Sequence, residues 1–167
     1  IEKFFWDEEK GAYIDSFTSG KRNVTRHANI FAILFDIADK QKQEKILKNV
    51  LENDEIPAIT TPYFNFFELD VLCQMGKLTE VLDKIRSYWG GMLDLGAVTF
   101  WEEYDPSVPK EEQYDMYGDH FGKSLCHAWA ASPIYFLAKY FAGLDLVNKD
   151  GVTYVLKPQM QYFTDLD

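Results

Sequence analysis

Apolar residues recur along this chain in two alternating styles. From Arg26 to Ala38 the residues Ala28, Ile30, Phe31, Ala32, Ile33, Leu34, Phe35 and Ile37 run nearly all the way round a helical wheel behind Thr25 as N-cap, which predicts a helix buried on every side. From about Lys42 to Glu52, Ile46, Leu47, Val50 and Leu51 fall on one stripe with lysines and acids opposite, so an outer helix is expected. The alternation repeats. Thr61-Pro62 offers an N-cap and an N1 proline for a mostly apolar helix ending near Met75, before Gly76. From Thr79, the residues Val81, Leu82, Ile85, Tyr88, Trp89, Met92 and Leu93 recur at intervals of three and four as a second amphipathic helix. Ser124 then caps a third apolar helix, Leu125 to Ala142, which Pro133 is expected to bend or divide.

Before these helices, Phe4–Asp7 and Gly11–Phe17 predict two short extended runs around a Glu8–Gly11 turn. After them, Tyr154–Pro158 is strand-like with no partner evident in the sequence. Buried and amphipathic helices alternating in pairs, with no strand between them, suit a ring of inner helices sheathed by outer ones. An open α-solenoid gives the same alternation, although no repeat of fixed period is visible. The fold class is therefore all-α, with a short N-terminal hairpin and a C-terminal strand.

A long loop, Val98 to Lys123, separates the second outer helix from the third inner one, and loops of that length in compact domains tend to carry function. It opens with Val98-Thr99-Phe100-Trp101-Glu102-Glu103-Tyr104-Asp105-Pro106, where β-branched residues and a terminal proline disfavour a helix. In an extended segment Phe100, Glu102 and Tyr104 share one face and Trp101, Glu103 and Asp105 the other. Acids among aromatic rings meet the two needs of a sugar: a carboxyl at the scissile bond and a flat apolar surface against the C–H face. An acidic surface loop with incidental aromatics is the plainer reading of these nine residues.

Charge narrows the partners. The 27 acidic residues against 17 basic ones give a formal charge of −10, which repels nucleic acid and anionic membrane surfaces. No apolar run reaches the length of a membrane span, so no membrane insertion is expected. Cys73 and Cys126, in apolar and helical-looking surroundings without CxxC spacing, read as buried thiols. No metal site is expected from His27, His120 and His127, which lack a ligand spacing, and the glycines form no phosphate cradle, so no cofactor is assigned. The compartment stays open.

Six short series occur in order: Gly11-x-Tyr13-x-Asp15-Ser16, His27-Ala28-Asn29, Thr60-Thr61-Pro62-Tyr63-Phe64, Tyr88-Trp89-Gly90-Gly91-Met92, Thr99-Phe100-Trp101-Glu102-Glu103 and Ser124-Leu125-Cys126-His127-Ala128-Trp129. Together they resemble the catalytic domain of bacterial α-L-rhamnosidases of glycoside hydrolase family 78. The resemblance implies a partial (α/α)6 toroid. Residues 1–146 would be the C-terminal half of the ring, and residues 147–167 the start of a β-domain whose first strand runs from Val152 to Pro158. It implies hydrolysis of terminal α-L-rhamnosyl linkages with inversion, on L-rhamnose-containing glycosides or polysaccharides. Glu102 would be the general base and Glu103 the reserve. His127 would lie in the sugar subsite. Apart from the resemblance, Trp101 and Tyr63 are read from their residue types as stacking platforms. For Trp101 and Tyr63 a core role is the competing reading, and Trp129 leans towards core. The family's general acid maps upstream of this sequence, so the segment alone is expected to be inert and to depend on the remainder of a parent polypeptide. The rival readings are another glycosidase on the same toroid and a non-catalytic α-helical carbohydrate-binding or interaction module.

Overall fold

Two apolar runs of the N-terminus do pair, over a shorter stretch than their composition predicts. In the computed structural model, which describes residues 1–148 and 153–163, Glu2–Phe5 forms one helical turn (α1), and only Trp6–Asp7 (β1) and Ala12–Tyr13 (β2) are strands, antiparallel with Trp6 opposite Tyr13. Phe4 and Phe5 are helical rather than extended because both amides donate to the Ile1 carbonyl. The chain divides into two compact units, Ile1–Thr60 and Thr61–Asp167.

In the first unit α2 spans Arg26–Leu34, and α3 spans Lys40–Ile46 and continues as a π-helical turn, Leu47–Leu51. The helix α2 ends four residues short of Ala38, because Asp36 takes a left-handed φ of 54° and Asp39 already caps α3, its carboxylate accepting from the Lys42 amide at 2.9 Å. Nor is α2 buried all round, since Phe35 at its end is 69% exposed. The predicted stripe of the next helix holds: Ile46, Leu47, Val50 and Leu51 are all buried. Thr25 occupies the N-cap position of α2, but its hydroxyl donates to Asp15 instead of closing the helix end.

Asn29, fully buried on α2, ties the hairpin to that helix. Its Oδ1 accepts from the Tyr13 amide at 2.8 Å, and its Nδ2 donates to the carbonyls of Tyr13 and Thr25 at 3.0 and 2.9 Å. Asn29→Ala removes all three bonds at a site closed to water. It is expected to destabilise this unit by about 1–3 kcal/mol, read as a lower denaturation midpoint at unchanged slope; an unmoved midpoint would show that the hairpin holds without it.

In the second unit α4 spans Pro62–Gln74, with Pro62 in its first turn and Gly76 (φ 75°) beyond its end, as the sequence predicts. The amphipathic run after it divides into α5 (Leu78–Lys84), a π-helical turn (Ile85–Trp89) and α6 (Gly90–Asp94). The helix α4 packs on α5 and on α7 (Ser132–Phe136), and a further π-helical turn, Leu137–Phe141, extends α7. Leu69, Val71, Val81, Met92, Phe136 and Phe141 are buried to 2% exposure or less and form the core. The Phe136 ring lies 5.2 Å from Phe66 and 6.1 Å from Tyr140.

The third helix does not begin at Leu125. Backbone bonds tie Ser124 and His127 to Glu102 and Phe100, with bends at Leu125 and Cys126 between them, so a 3-10 turn (Ala128–Ala130) precedes α7. Pro133 then sits in the first turn of α7, where its missing N–H costs nothing, rather than inside a helix. Tyr154–Leu156 (β4) does have a partner, Leu144–Leu146 (β3), with Leu144 opposite Leu156. Val152, the first residue of the expected strand, lies outside the described residues. No described helix is long and apolar enough to cross a membrane.

Candidate active site

The Trp101-Glu102-Glu103 stretch is non-helical because it is paired with the segment around Ser124. The Glu102 amide donates to the Ser124 carbonyl at 2.9 Å and the His127 amide to the Phe100 carbonyl at 2.8 Å, and the Thr99 hydroxyl donates to the Leu125 carbonyl. The two segments thus run in opposite directions side by side, without forming a strand ladder, and the chain bends at Glu102, Leu125 and Cys126. Trp101 turns inward, 3% exposed, with its ring edge-on to Tyr114 at 5.6 Å. Its burial leaves it no free face for a sugar, and the core reading of this residue is the one its surroundings support.

Glu102 stays partly exposed. Both carboxylate oxygens are engaged: Oε2 accepts from the Ser124 amide at 3.0 Å and Oε1 from the Tyr117 hydroxyl at 3.0 Å. The Ser124 N–H, the Tyr117 hydroxyl and the nearby His127 and Lys123 hold the carboxyl below the usual carboxylate range, against a smaller opposing effect of partial burial. Glu102 is therefore an ionised acceptor at neutral pH. Glu103 faces a different partner, the ammonium of Lys123 at 3.9 Å. That lysine is almost wholly buried, and the loss of hydration lowers its pKa even with acids on several sides.

Neighbouring elements fix the loop on which the two glutamates stand. The Tyr104 amide donates to the Tyr88 hydroxyl at 3.2 Å, the two rings meeting edge-on at 5.5 Å. Gly91 on α6 makes this approach possible, since a Cβ there would overlap the Tyr104 phenol. Gln113, 2% exposed, donates through Nε2 to the carbonyls of Asp105 and Val108 at 2.6 and 2.8 Å and so closes the loop on itself. On the paired segment the buried Trp89 indole donates to the Ala130 carbonyl at 2.8 Å, which locates the 3-10 turn following His127.

That turn presents rings to solvent. His127 is extended, not helical, and half-buried; its imidazole stacks on Trp129 with centroids 5.0 Å apart and planes at 13°. Trp129 is 57% exposed, which corrects the expectation that it belongs to the core, and its other contact is the edge of Tyr63 at 4.8 Å. Tyr63, in the first turn of α4, is 47% exposed. His127, Trp129 and Tyr63 make one aromatic wall in the same unit as Glu102. Cys126 is exposed at a bend, which corrects the expectation of a buried thiol there, whereas Cys73 is buried on α4, its thiol pushed up to about 12 by burial. Among the described residues no group of three His, Cys, Asp or Glu side chains is arranged to hold a metal ion.

Sequence reasoning missed the Ser124 amide, Tyr117 and Lys123. Gly118 is the local turn residue beside Tyr117, and nothing in it points towards Glu102. A model of the bacterial alpha-L-rhamnosidase 6 hairpin glycosidase domain matches residues 1–141, which takes in every residue of this site. Comparison with curated proteins finds no match.

Proposed function

The chain belongs to the bacterial α-L-rhamnosidase six-hairpin glycosidase family, and from that premise we propose that it takes part in hydrolysing terminal α-linked L-rhamnose with inversion, Glu102 acting as general base. The observation that carries this reading is the Glu102 carboxylate, held ionised by two hydrogen bonds on a partly exposed face of the loop. In inversion one carboxylate deprotonates a water that attacks the anomeric carbon, while a carboxylic acid on the opposite face of the sugar protonates the leaving oxygen. The two carboxyl groups stand about 6.5–9.5 Å apart to admit the water. A base in this scheme must be ionised before the water arrives, and the partners of Glu102 favour that state. The general acid is assigned to no residue of this chain.

Charge supports the same reaction. Positive charge develops on the sugar ring in the transition state, and Glu102 and Asp105 place negative charge on one loop. L-Rhamnose carries a methyl group in place of a hydroxymethyl, so one edge of it is apolar. The exposed rings of Tyr63 and Trp129 suit that edge, and the His127 imidazole suits a hydroxyl. We read the alternation of apolar and amphipathic helices as the inner and outer members of a six-hairpin toroid over residues 1–146, with residues 147–167 opening a β-domain.

Following the anomeric proton signals during hydrolysis of an aryl α-L-rhamnoside by the full-length polypeptide tests inversion. The β-anomer of free rhamnose is expected first, with the α-anomer growing in only by mutarotation. First appearance of the α-anomer would make the enzyme a retaining one and remove the base role. Absence of any hydrolysis would leave a binding module.

A further inference from the structure

Tyr117 is an unusual residue for its position. Met116 and Asp119 exchange backbone hydrogen bonds of 3.0 and 2.9 Å across a two-residue turn, and the central residues Tyr117 and Gly118 have φ of 56° and 84°. Positive φ at both is the signature of a type I′ turn, where asparagine, aspartate and glycine are the usual occupants and a tyrosine is disfavoured. The ring gains nothing from burial, being 81% exposed. What it does gain is the hydrogen bond from its hydroxyl to Glu102 Oε1.

The turn is braced from behind. The Gly122 amide donates to the Asp119 carbonyl at 3.2 Å, and a Cβ at Gly122 would overlap the Met116 carbonyl. The Lys123 amide donates to the Tyr114 carbonyl at 3.2 Å, which closes the base of the hairpin. The next residue is Ser124, whose amide holds Glu102 Oε2. One hairpin thus delivers both donors, seven residues apart, to the two oxygens of a single carboxylate.

We propose that Tyr117 is a positioning residue for Glu102, its hydroxyl fixing the carboxylate in one orientation from the tip of the 114–124 hairpin. This rests on Glu102 being the base. The groups around the carboxylate are the Ser124 amide, the Tyr117 hydroxyl, His127 and Lys123, and Tyr117 itself is faced by Glu102 and Glu103. The hydroxyl stabilises the ionised form of Glu102, and the negative charge in turn keeps the phenol protonated, raising its pKa. Removing the hydroxyl therefore makes Glu102 easier to protonate.

The experiment is the pH profile of kcat/KM for Tyr117→Phe in the full-length polypeptide on an aryl α-L-rhamnoside, with Glu102→Gln alongside. The acid limb of Tyr117→Phe is expected to move to higher pH, with kcat/KM at the optimum about three- to tenfold lower and the melting temperature unchanged. A profile superimposable on wild type overturns the proposal. So does a rise in KM alone with the acid limb in place, which would make Tyr117 a substrate contact. Full activity in Glu102→Gln would instead overturn the base assignment on which the proposal stands.

Discussion

Glu102→Gln in the full-length polypeptide lowers kcat/KM on an aryl α-L-rhamnoside by about 10²–10⁴-fold, the span associated with losing a positioned general base. The substitution preserves length and shape while removing the only property the proposed mechanism uses, a lone pair basic enough to take a proton from water. It also disturbs the local bonding. Both carboxylate oxygens accept, from the Ser124 amide and the Tyr117 hydroxyl, whereas an amide that keeps its oxygen on the Ser124 N–H turns its NH2 to the Tyr117 oxygen and reverses the direction of that bond. Glu103→Gln is the control, because Glu103 faces the Lys123 ammonium. Its activity stays within a few-fold of wild type. The sign of the pH dependence follows from the same contacts: a carboxyl held below its ordinary range stays ionised as the pH falls and loses function only on the acid side of that range. The residual rate of Glu102→Gln therefore lacks this acid limb. Equal rates in wild type and Glu102→Gln would sink the assignment.

Trp101→Ala is the second large effect, and it is an effect on stability. The indole is 3% exposed and packed edge-on against Tyr114, so truncation loses its transfer free energy and leaves a cavity, together about 3–5 kcal/mol. Chemical denaturation of the full-length polypeptide reads this as a lower midpoint for the transition of the catalytic domain. Activity falls as well, because the residue whose side chain anchors this loop segment precedes Glu102 directly. A variant as stable as wild type with only a raised KM would return Trp101 to the role of sugar platform.

The two results bear on how far the residues alone could be read. Helical elements were legible where periodicity is local: the stripe Ile46, Leu47, Val50 and Leu51 is buried as its spacing predicts. Pro62 begins α4 and Gly76 follows its end, because the ring and the absent Cβ act on their own backbone. Leu125 to His127 failed for the opposite reason. Its apolar composition suits a helix, yet its backbone bonds go to a segment more than twenty residues earlier, and no local preference encodes that partner.

The same division runs through the candidate site. The amino-acid sequence by itself determined the mostly helical class, the places where most helices start and stop, the acid-and-aromatic stretch around Glu102 and the family to which it belongs. Only the tertiary structure decided that Trp101 is core while Trp129 and Tyr63 offer their rings to solvent, that Glu103 belongs to Lys123, and that Tyr117 and Ser124 grip Glu102. In a helix, spacing alone assigns each side chain to a face. In the irregular segments of this site the distant partners of each backbone and side-chain group do so, and no local spacing encodes them.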